Sequence, residues 1–469
     1  MQRFDLAIIG AGPAGMAAAH EAAQLGLRVA LLDEQARAGG QIYRDVDRVA
    51  PLRGNILGKD YTDGARLTAG LSHEGIHHIC GAVVWAIEDG FRVSYTNDGR
   101  GAQVSADRVL IATGALERPM PIPGWTLPGV MTAGAGQILL KQSGVLARRA
   151  VLVGSGPLLY LMAAQMVRAE TPPLAMLETQ TKADTGRAMR HIGGAIRGWP
   201  YMLKGLKMLA EVTRARVPRH TGASEITIEG ADKAEAVRFV SGGKAHRIDC
   251  DTVFLHHGVV PNTQAARSVG VTHQWRADQS CFAPVLDSWG GTDVEGVFIA
   301  GDGGGINGAK AAELAGRLAA LGLAAQAGRL SAEDRDRRAV PLRAALARET
   351  AARPFLDTAY PPCPEALAPA DDTVICRCEE ITAGIIRDHA RLGCLGPNQA
   401  KAFSRAGMGP CQGRYCGLTV TALLAQANGR SPDETGYYRI RAPLKPVTLG
   451  ELASMEDGLS EAESVEEVT

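Results

Sequence analysis

Four cysteines near the C-terminal end of this 469-residue sequence stand as C-x-C, 32 residues, C-x4-C: Cys376, Cys378, Cys411 and Cys416. Four thiolates brought together as two pairs are the ligand set of a [2Fe–2S] cluster, and they also suit tetrahedral zinc. Both pairs lie in turn-rich contexts, with Arg377 inside the first and Gly409-Pro410 ahead of the second. C-x-C is narrower than zinc pairs usually are, which favours iron–sulfur chemistry. Cys394 and Cys363 are left unassigned. A second constellation lies at the other end, in GAGPAG at residues 10–15. Gly10 allows a tight turn off a strand, Gly12 lets backbone approach a pyrophosphate, and Gly15 lets the next helix pack close. The helix start, through Pro13 and Ala14, turns free N–H groups and the positive dipole end toward phosphates. Eighteen residues beyond Gly15, Asp33, followed by Glu34, ends a strand where a carboxylate takes ribose hydroxyls. The chemistry indicated here is nucleotide binding.

The elements that must hold these residues follow from the apolar pattern. DLAII is a strand, Met16 to Leu25 an Ala-rich helix stopped by Gly26, and VALLDE a second strand. Strand, glycine turn, helix and strand make the first unit of a doubly wound parallel sheet, so the fold class is α/β. A similar unit begins at Ala150: AVLVGSGPLL, an apolar helix to about Ala169, then LAMLET. HEGIHHIC, GAVVWAIEDGFRVSY and ADRVLIATGA alternate like strands between the units. GVFIAGDGG feeds a long helix from about Gly308 to Ala327, which reads as a return to the first unit. A charged helical stretch and the linker YPPCPEALAPADD lead to the cysteine module, where short helices start at Ala383 and Gln399. His73, His77, His78 and Cys80, at a strand start without a carboxylate pair, read as ordinary structure and not as a metal site.

Composition excludes several classes. Lys plus Arg and Asp plus Glu both number 50, so a balanced chain carries no footprint for nucleic acid. No run approaches the ~18 apolar residues of a membrane span, and MQRFDLAIIG places a strand where a signal peptide would be. The expectation is a cytoplasmic protein, in which clustered cysteines bind metal before they form disulfides. The last fifteen residues carry six acids and no base and are expected to form a frayed tail.

ARAGGQIYR carries Gly40 and Gln41 just past the second strand, ADRVLIATGA ends in Thr113 and Gly114, and GVFIAGDGGG brings Gly301 and Asp302. This trio, in this order, resembles the two-dinucleotide-domain flavoproteins of the glutathione and thioredoxin reductase type over nearly all of residues 1–330. The resemblance implies FAD, with Asp302 on its ribityl chain and the following helix aimed at the flavin's pyrimidine end; a plain helix cap is the other role open to Asp302. No cysteine lies between Cys80 and Cys250 and none in GGQIYR, so thiol–disulfide exchange at the flavin is excluded. In the second unit GSGPLL puts Leu159 where the third glycine should be. An isobutyl group there is expected to push the helix off its strand, leaving a relic or a site for another nucleotide, although Glu178 still ends the next strand. No arginine cluster follows it to hold a 2′-phosphate.

The cysteine module resembles the bacterioferritin-associated-ferredoxin type of [2Fe–2S] domain, its x4 gap matching the longer variant. The whole order, through CRCEE, PNQ, RAGMGPCQGRYCG and GYYRIRAPLKPVTLGELA, resembles the α-type subunits of heteromeric amino-acid dehydrogenases: opine oxidases, D-hydroxyproline and proline dehydrogenases, and hydrogen cyanide synthase. The likeness runs from residue 4 to about 454. It implies a discontinuous FAD-binding domain (1–125 and 275–330), a degenerate NAD(P)-type domain (126–274), a helical segment and linker (331–370), a [2Fe–2S] domain (371–435) and a C-terminal segment with acidic tail (436–469). It further implies a partner FAD subunit of the amino-acid-oxidase type that oxidises the C–N bond, a place for a small ferredoxin-like subunit, and one for FMN at an interface between subunits. No residue of this chain is singled out as a catalytic base. The alternatives are a stand-alone NAD(P)H-dependent reductase with the cluster as outlet, and a redox sensor without turnover.

Overall fold

The computed structural model describes residues 2–455; the tail expected from 455 onward lies, from 456, outside the described residues. Two five-stranded parallel sheets carry the architecture. In the first, the order is Val297–Ile299, Val109–Ile111, Leu6–Ile9, Val29–Asp33 and Ile76–Cys80. The strand expected to return does so, pairing Val297 with Val109. Helices Pro13–Gln24 and Ala309–Gln326 pack on one another, which leaves the inner strands dry and explains their unbroken apolar runs. The two helices are rich in alanine because they meet at backbone distance: a Cβ on Gly316 would lie 2.1 Å from the Ala14 carbonyl oxygen.

The second sheet runs Val130–Thr132, Thr252–His256, Ala150–Gly154, Ala175–Glu178 and Arg219–Thr221, and helix Pro157–Arg168 follows its glycine turn. Leu159 is fully buried there, in a core with Ala150, Leu152 and Phe254, so the isobutyl group expected to push the helix away is instead accommodated beneath it. An antiparallel sheet (Val83–Glu88, Arg92–Asn97, Arg100–Ala106) is extended at its edge by Gln2–Phe4, and a three-stranded one (Ser224–Glu229, Ala236–Ser241, Lys244–Asp249) packs on the second unit. Among the described residues no helix is long and apolar enough to cross a membrane.

Two segments are more firmly docked than their composition indicates. In YPPCPEALAPADD, Cys363 and Ala366 are buried in the second unit's core. The Cys363 N–H donates to His257 Nδ1 at 3.1 Å, while His257 Nε2 lies 2.7 Å from the Pro119 carbonyl oxygen. The cysteine module, with helices Ala383–Arg391, Pro397–Ser404 and Gly417–Ala427, shares one apolar core with the first unit's sheet. Its second helix begins at Pro397, ahead of the expected Gln399, because proline is favoured at the first helical position. Tyr438, Ile440 and Leu444, in the segment read as a separate C-terminal stretch, complete that core.

The His257 ring accepts at one nitrogen and must donate at the other, so it is neutral. Burial, with Arg118 nearby, holds its pKa well below the ordinary 6.5. The unfolded chain therefore takes up one more proton than the folded one as pH falls below about 6.5, and this contribution to stability is lost on acidification. Thermal unfolding followed between pH 7.5 and 5 should show the melting temperature falling below pH 6.5, and His257→Gln should flatten that slope by one proton's worth.

Candidate functional site

At the first glycine turn, side chains are excluded by contact. Gly10 has φ +105°, and a Cβ on Gly15 would stand 1.8 Å from the Gly10 carbonyl oxygen. Gly12, as N-cap of helix Pro13–Gln24, supplies no side chain to the first N–H groups, which stay available to an anion. Asp33 is buried at the end of its strand, one oxygen accepting from the Ala11 N–H at 2.5 Å and the other from the Gln35 N–H at 2.8 Å. Burial raises its pKa and those two N–H groups oppose the rise. The residue thus braces the glycine turn from behind. Glu34 beside it is ion-paired with Lys445. Burial pushes the Glu34 carboxyl up, and the Lys445 ammonium more than reverses this, so it ends below the ordinary carboxylate range.

Gly40 and Gln41 close over the same turn. A Cβ on Gly40, at φ +58°, would come within 2.8 Å of Gly12 Cα, and the Gly39 N–H donates to the Ala11 carbonyl at 2.8 Å. What holds this loop is a residue that spacing did not reveal. Lys141, from helix Ala133–Ser143 beyond the first unit, is 3% exposed and donates to the carbonyls of Gln41 (2.8 Å) and Ile42 (2.9 Å) and to Gln137 Oε1 (2.9 Å). Burial, then Arg44, push its pKa down to about 7. Three acceptors call for three N–H groups, which only the ammonium form supplies.

Thr113 and Gly114 stand at the end of Val109–Ile111; the Gly114 carbonyl accepts from the Asn262 N–H at 2.9 Å. Gly301, at φ +76°, would bring a Cβ to 2.8 Å from Ala14 Cβ. Asp302 Oδ1 accepts from the N–H groups of Asn307 and Gly308, each at 2.9 Å, which orders the turn ahead of the long helix without capping it, so the plain helix cap is not its role. Helix Ala309–Gln326 starts at Gly308 with no side-chain cap, as the first helix does at Gly12. The two uncapped helix starts and the glycine cradle fit a dinucleotide with its diphosphate on the first and its flavin end toward the second.

The second glycine turn differs at its acid. Glu178, 1% exposed, is gripped by Arg219 at 2.6 and 3.0 Å and by Gln180 Nε2 at 3.0 Å. The carboxylate that would take a ribose is already spent on a cation. Arg219 lies 41 residues away in sequence, on the neighbouring strand, where no local motif points to it.

The four cysteines do lie near one another, Cys376 beside Cys416 and Cys378 beside Cys411, one from each motif in each pair. The hydrogen bond with Cys416, helped by N–H groups at Gly407, Glu379 and Cys378, pulls the Cys376 thiol down to about 6. Among the described residues no group of three or more His, Cys, Asp or Glu side chains is placed to hold a single metal ion. Two pairs fit a two-iron centre better than one tetrahedral zinc. Small residues let the chain wrap the thiols: a Cβ on Gly409 would meet Cys378 Cβ at 2.2 Å. Gln264 Nε2 donates to the Gln412 carbonyl at 3.2 Å, tying the cysteine loop to the segment that holds Gly114. Cys394 is buried, its thiol donating to the Gly396 carbonyl at 3.4 Å, and takes no part.

Lys141→Met should raise the dissociation constant for FAD by roughly tenfold or more, through loss of charge-assisted hydrogen bonds to the loop over the phosphate turn. Fluorescence titration of the apoprotein with FAD measures this. The melting temperatures with and without FAD should converge in the variant, whereas a purely architectural role would lower both equally.

Residues 4–316 match the family model described as pyridine nucleotide-disulphide oxidoreductase, and residues 373–456 that of the sarcosine oxidase A3 domain. An opine oxidase subunit of Agrobacterium tumefaciens (strain Ach5) is 44% identical over 463 residues, 96% of this chain and 92% of that one. Hydrogen cyanide synthase subunit HcnB of Pseudomonas protegens is 32% identical over 475 residues, 97% of this chain and 98% of that one. In fold, L-proline dehydrogenase from P. horikoshii superposes with a TM-score of 0.70 at 21% identity, over 96% of this chain and 80% of that one. With the glycine cradle of the first unit and these matches together, the chain belongs to the pyridine nucleotide-disulphide oxidoreductase family, in the group that contains this opine oxidase subunit.

Proposed function

We propose that this chain is the FAD-dependent, electron-handling subunit of a heteromeric dehydrogenase acting on the CH–NH group of an amino or imino acid of opine, D-hydroxyproline or proline type. The C–N bond is oxidised on a partner FAD subunit, and a [2Fe–2S] cluster on Cys376, Cys378, Cys411 and Cys416 serves as this chain's one-electron centre. The observation that carries the proposal is the contrast between the two glycine turns: one is an open cradle, the other has its acid locked to Arg219 at 2.6 and 3.0 Å. A chain without a working nicotinamide site must receive electrons from elsewhere. Relatives that are subunits of opine oxidase and of hydrogen cyanide synthase support a partner protein as that source.

Bound FAD supplies acceptance of electron pairs with single-electron release, and the cluster supplies one-electron transfer. The protein's part is positioning. Gly12, Ala14 and Gly15 offer backbone N–H groups to the diphosphate, while Gly10, whose own N–H donates to the Leu32 carbonyl, makes the turn, Pro13 presets the first helical residue, and Asp33 fixes the turn from behind. Asp33 and Glu34 stand at the ribose position, with Lys445 restraining Glu34. Gly40 and Gln41 cover the cofactor, Thr113, Gly114 and Gly301 line it, and Asp302 keeps one oxygen for the ribityl hydroxyls while the other orders the Asn307–Gly308 turn. Hydrophobic burial of Cys376 and Cys416 keeps water from that side of the cluster, while Cys378 stays exposed as its outward edge. An FMN at the boundary between subunits and a small ferredoxin-like subunit complete the proposed assembly.

The test is anaerobic purification of the full chain, alone and co-expressed with the reading frames flanking its gene. The proposal expects FAD, two irons per chain, no rapid bleaching of the isolated chain by NADH, and dye-linked dehydrogenase activity with proline, hydroxyproline or opines only when the partner is present. Cys411→Ser should lower iron content while FAD stays bound. Zinc in place of iron would overturn the cluster, and fast NADH bleaching of the isolated chain would overturn the division of labour in favour of a stand-alone reductase.

A further inference from the structure

The turn Met189–His191 and helices Ile192–Arg197 and Trp199–Arg214 of the second unit carry an apolar strip that no part of the chain covers among the described residues. Met189, Ile192, Ile196, Trp199, Leu203 and Leu206 recur at alternating spacings of three and four, and are 51, 41, 67, 61, 40 and 63% exposed. That alternation is the seam by which one helix packs along another. The opposite face is the one that holds these helices to the body. A Cβ on Gly194 would lie 2.4 Å from the Ala351 carbonyl oxygen and one on Gly198 2.7 Å from Ala352 Cβ, while Met208 and Val212 are buried. Among the described residues the strip is therefore surplus to the fold, and six large apolar residues in one band exceed what scattered surface positions explain.

Its borders are basic. From Arg187 to Arg214 the sequence holds six bases and one acid, Glu211, which Arg168 already pairs. Lys204 is paired with Asp60 and Arg187 with Asp184, whereas exposed Arg190, Arg197 and Lys207 form no ion pair among the described residues. At its N-terminal end the strip becomes the lip of a cleft of about 610 Å³, lined there by Arg187, Arg190 and His191 and on the far side by Gln279 and Asn307. Asn307 belongs to the turn that Asp302 orders, at the start of the second uncapped helix.

We infer that this strip is the docking surface for the amine-oxidising partner subunit, which lays on it an apolar helix bordered by Asp and Glu and thereby covers the mouth of the cleft. The inference rests on the function proposed above and adds the place of contact. A second copy of this chain would set like charges against one another along the whole seam. A flat anionic membrane would meet the strip and its bases but leave the cleft at its end unfilled. A folded partner satisfies the apolar seam and the free cations, and brings an electron donor to the side of the molecule where Asn307 and Gly308 stand.

The test uses the full chain with an affinity tag, co-expressed with the oxidase-type subunit from a flanking reading frame. Wild type should retain the partner at fixed stoichiometry. The double variant Ile196→Glu/Leu206→Glu should lose at least tenfold of the retained partner while keeping the wild-type flavin content and melting temperature. Arg197→Glu/Lys207→Glu should weaken retention and reduce its salt sensitivity. Unchanged retention in both double variants would overturn the docking surface and leave the heteromeric function intact. Absence of a complex with wild type would overturn the heteromeric function, and the docking surface with it. Strip-dependent self-association of the isolated chain, or its sedimentation with phosphatidylglycerol vesicles abolished by Ile196→Glu/Leu206→Glu, would assign the strip to those occupants and overturn the partner.

Discussion

Everything in the first half of the molecule depends on backbone meeting backbone around helix Pro13–Gln24. On one side Gly15 brings it against the Gly10 carbonyl, where a Cβ would stand at 1.8 Å; on the other Gly316 admits the Ala14 carbonyl, where a Cβ would stand at 2.1 Å. The helix is thereby pinned between the strand Leu6–Ile9 and the long helix Ala309–Gln326, although its two neighbours lie some 300 residues apart in sequence. That close approach aims the uncapped N–H groups at a fixed point, and a diphosphate needs donors held in advance more than it needs charge. The alanines that fill both helices follow from the same constraint, since no larger side chain fits between them.

The second glycine turn shows how little is needed to change such a site. Gly154 at φ +129° matches Gly10 at +105°, whereas Gly156 at +120° departs from Gly12 at −75°, and the helix after it again starts with proline and no side-chain cap. By size alone Leu159 should spoil the turn by pushing the helix outward, yet it is fully buried as part of the helix–strand core. The change that matters for ligand binding is Arg219 on Glu178, which converts an acceptor for ribose hydroxyls into half of a buried ion pair. Removing either partner of such a pair leaves a charge uncompensated, so the lock is self-maintaining. The dependence on a protein donor proposed above rests on this contrast between the two turns.

The cysteine module is built into the body. Ile375, Cys376, Cys416 and Tyr438 share a core with Val93, Val109 and Val297 of the first unit, and Lys445 reaches back to Glu34 beside the ribose position. A module attached by a free linker would sample many positions relative to the first unit, whereas one packed on the same core keeps a single position, which suits the cluster proposed above. The His257–Cys363 hydrogen bond anchors the connecting segment in the same sense.

Sequence alone determined what is local. The glycine fingerprints, the strands around them, the long helix after Asp302 and the two cysteine motifs are legible because each is specified by neighbours in the chain: a positive φ, a helix start, an apolar run. The return of Val297–Ile299 to the first unit was inferable from the pattern of units, and the structure supplies its partner, Val109–Ile111. Only the tertiary structure decided which carboxylates are free and which are spent. Asp33 on Ala11, Asp302 on Asn307 and Gly308, Glu178 on Arg219 and Lys141 on Gln41 and Ile42 are contacts between residues that hydrophobic periodicity does not relate. The same holds for the exchange of partners between the cysteine motifs and for the strip from Met189 to Leu206, left uncovered among the described residues. A pattern records that a face is apolar, and only the folded chain, by placing neighbours around it or failing to, reveals whether that face is covered.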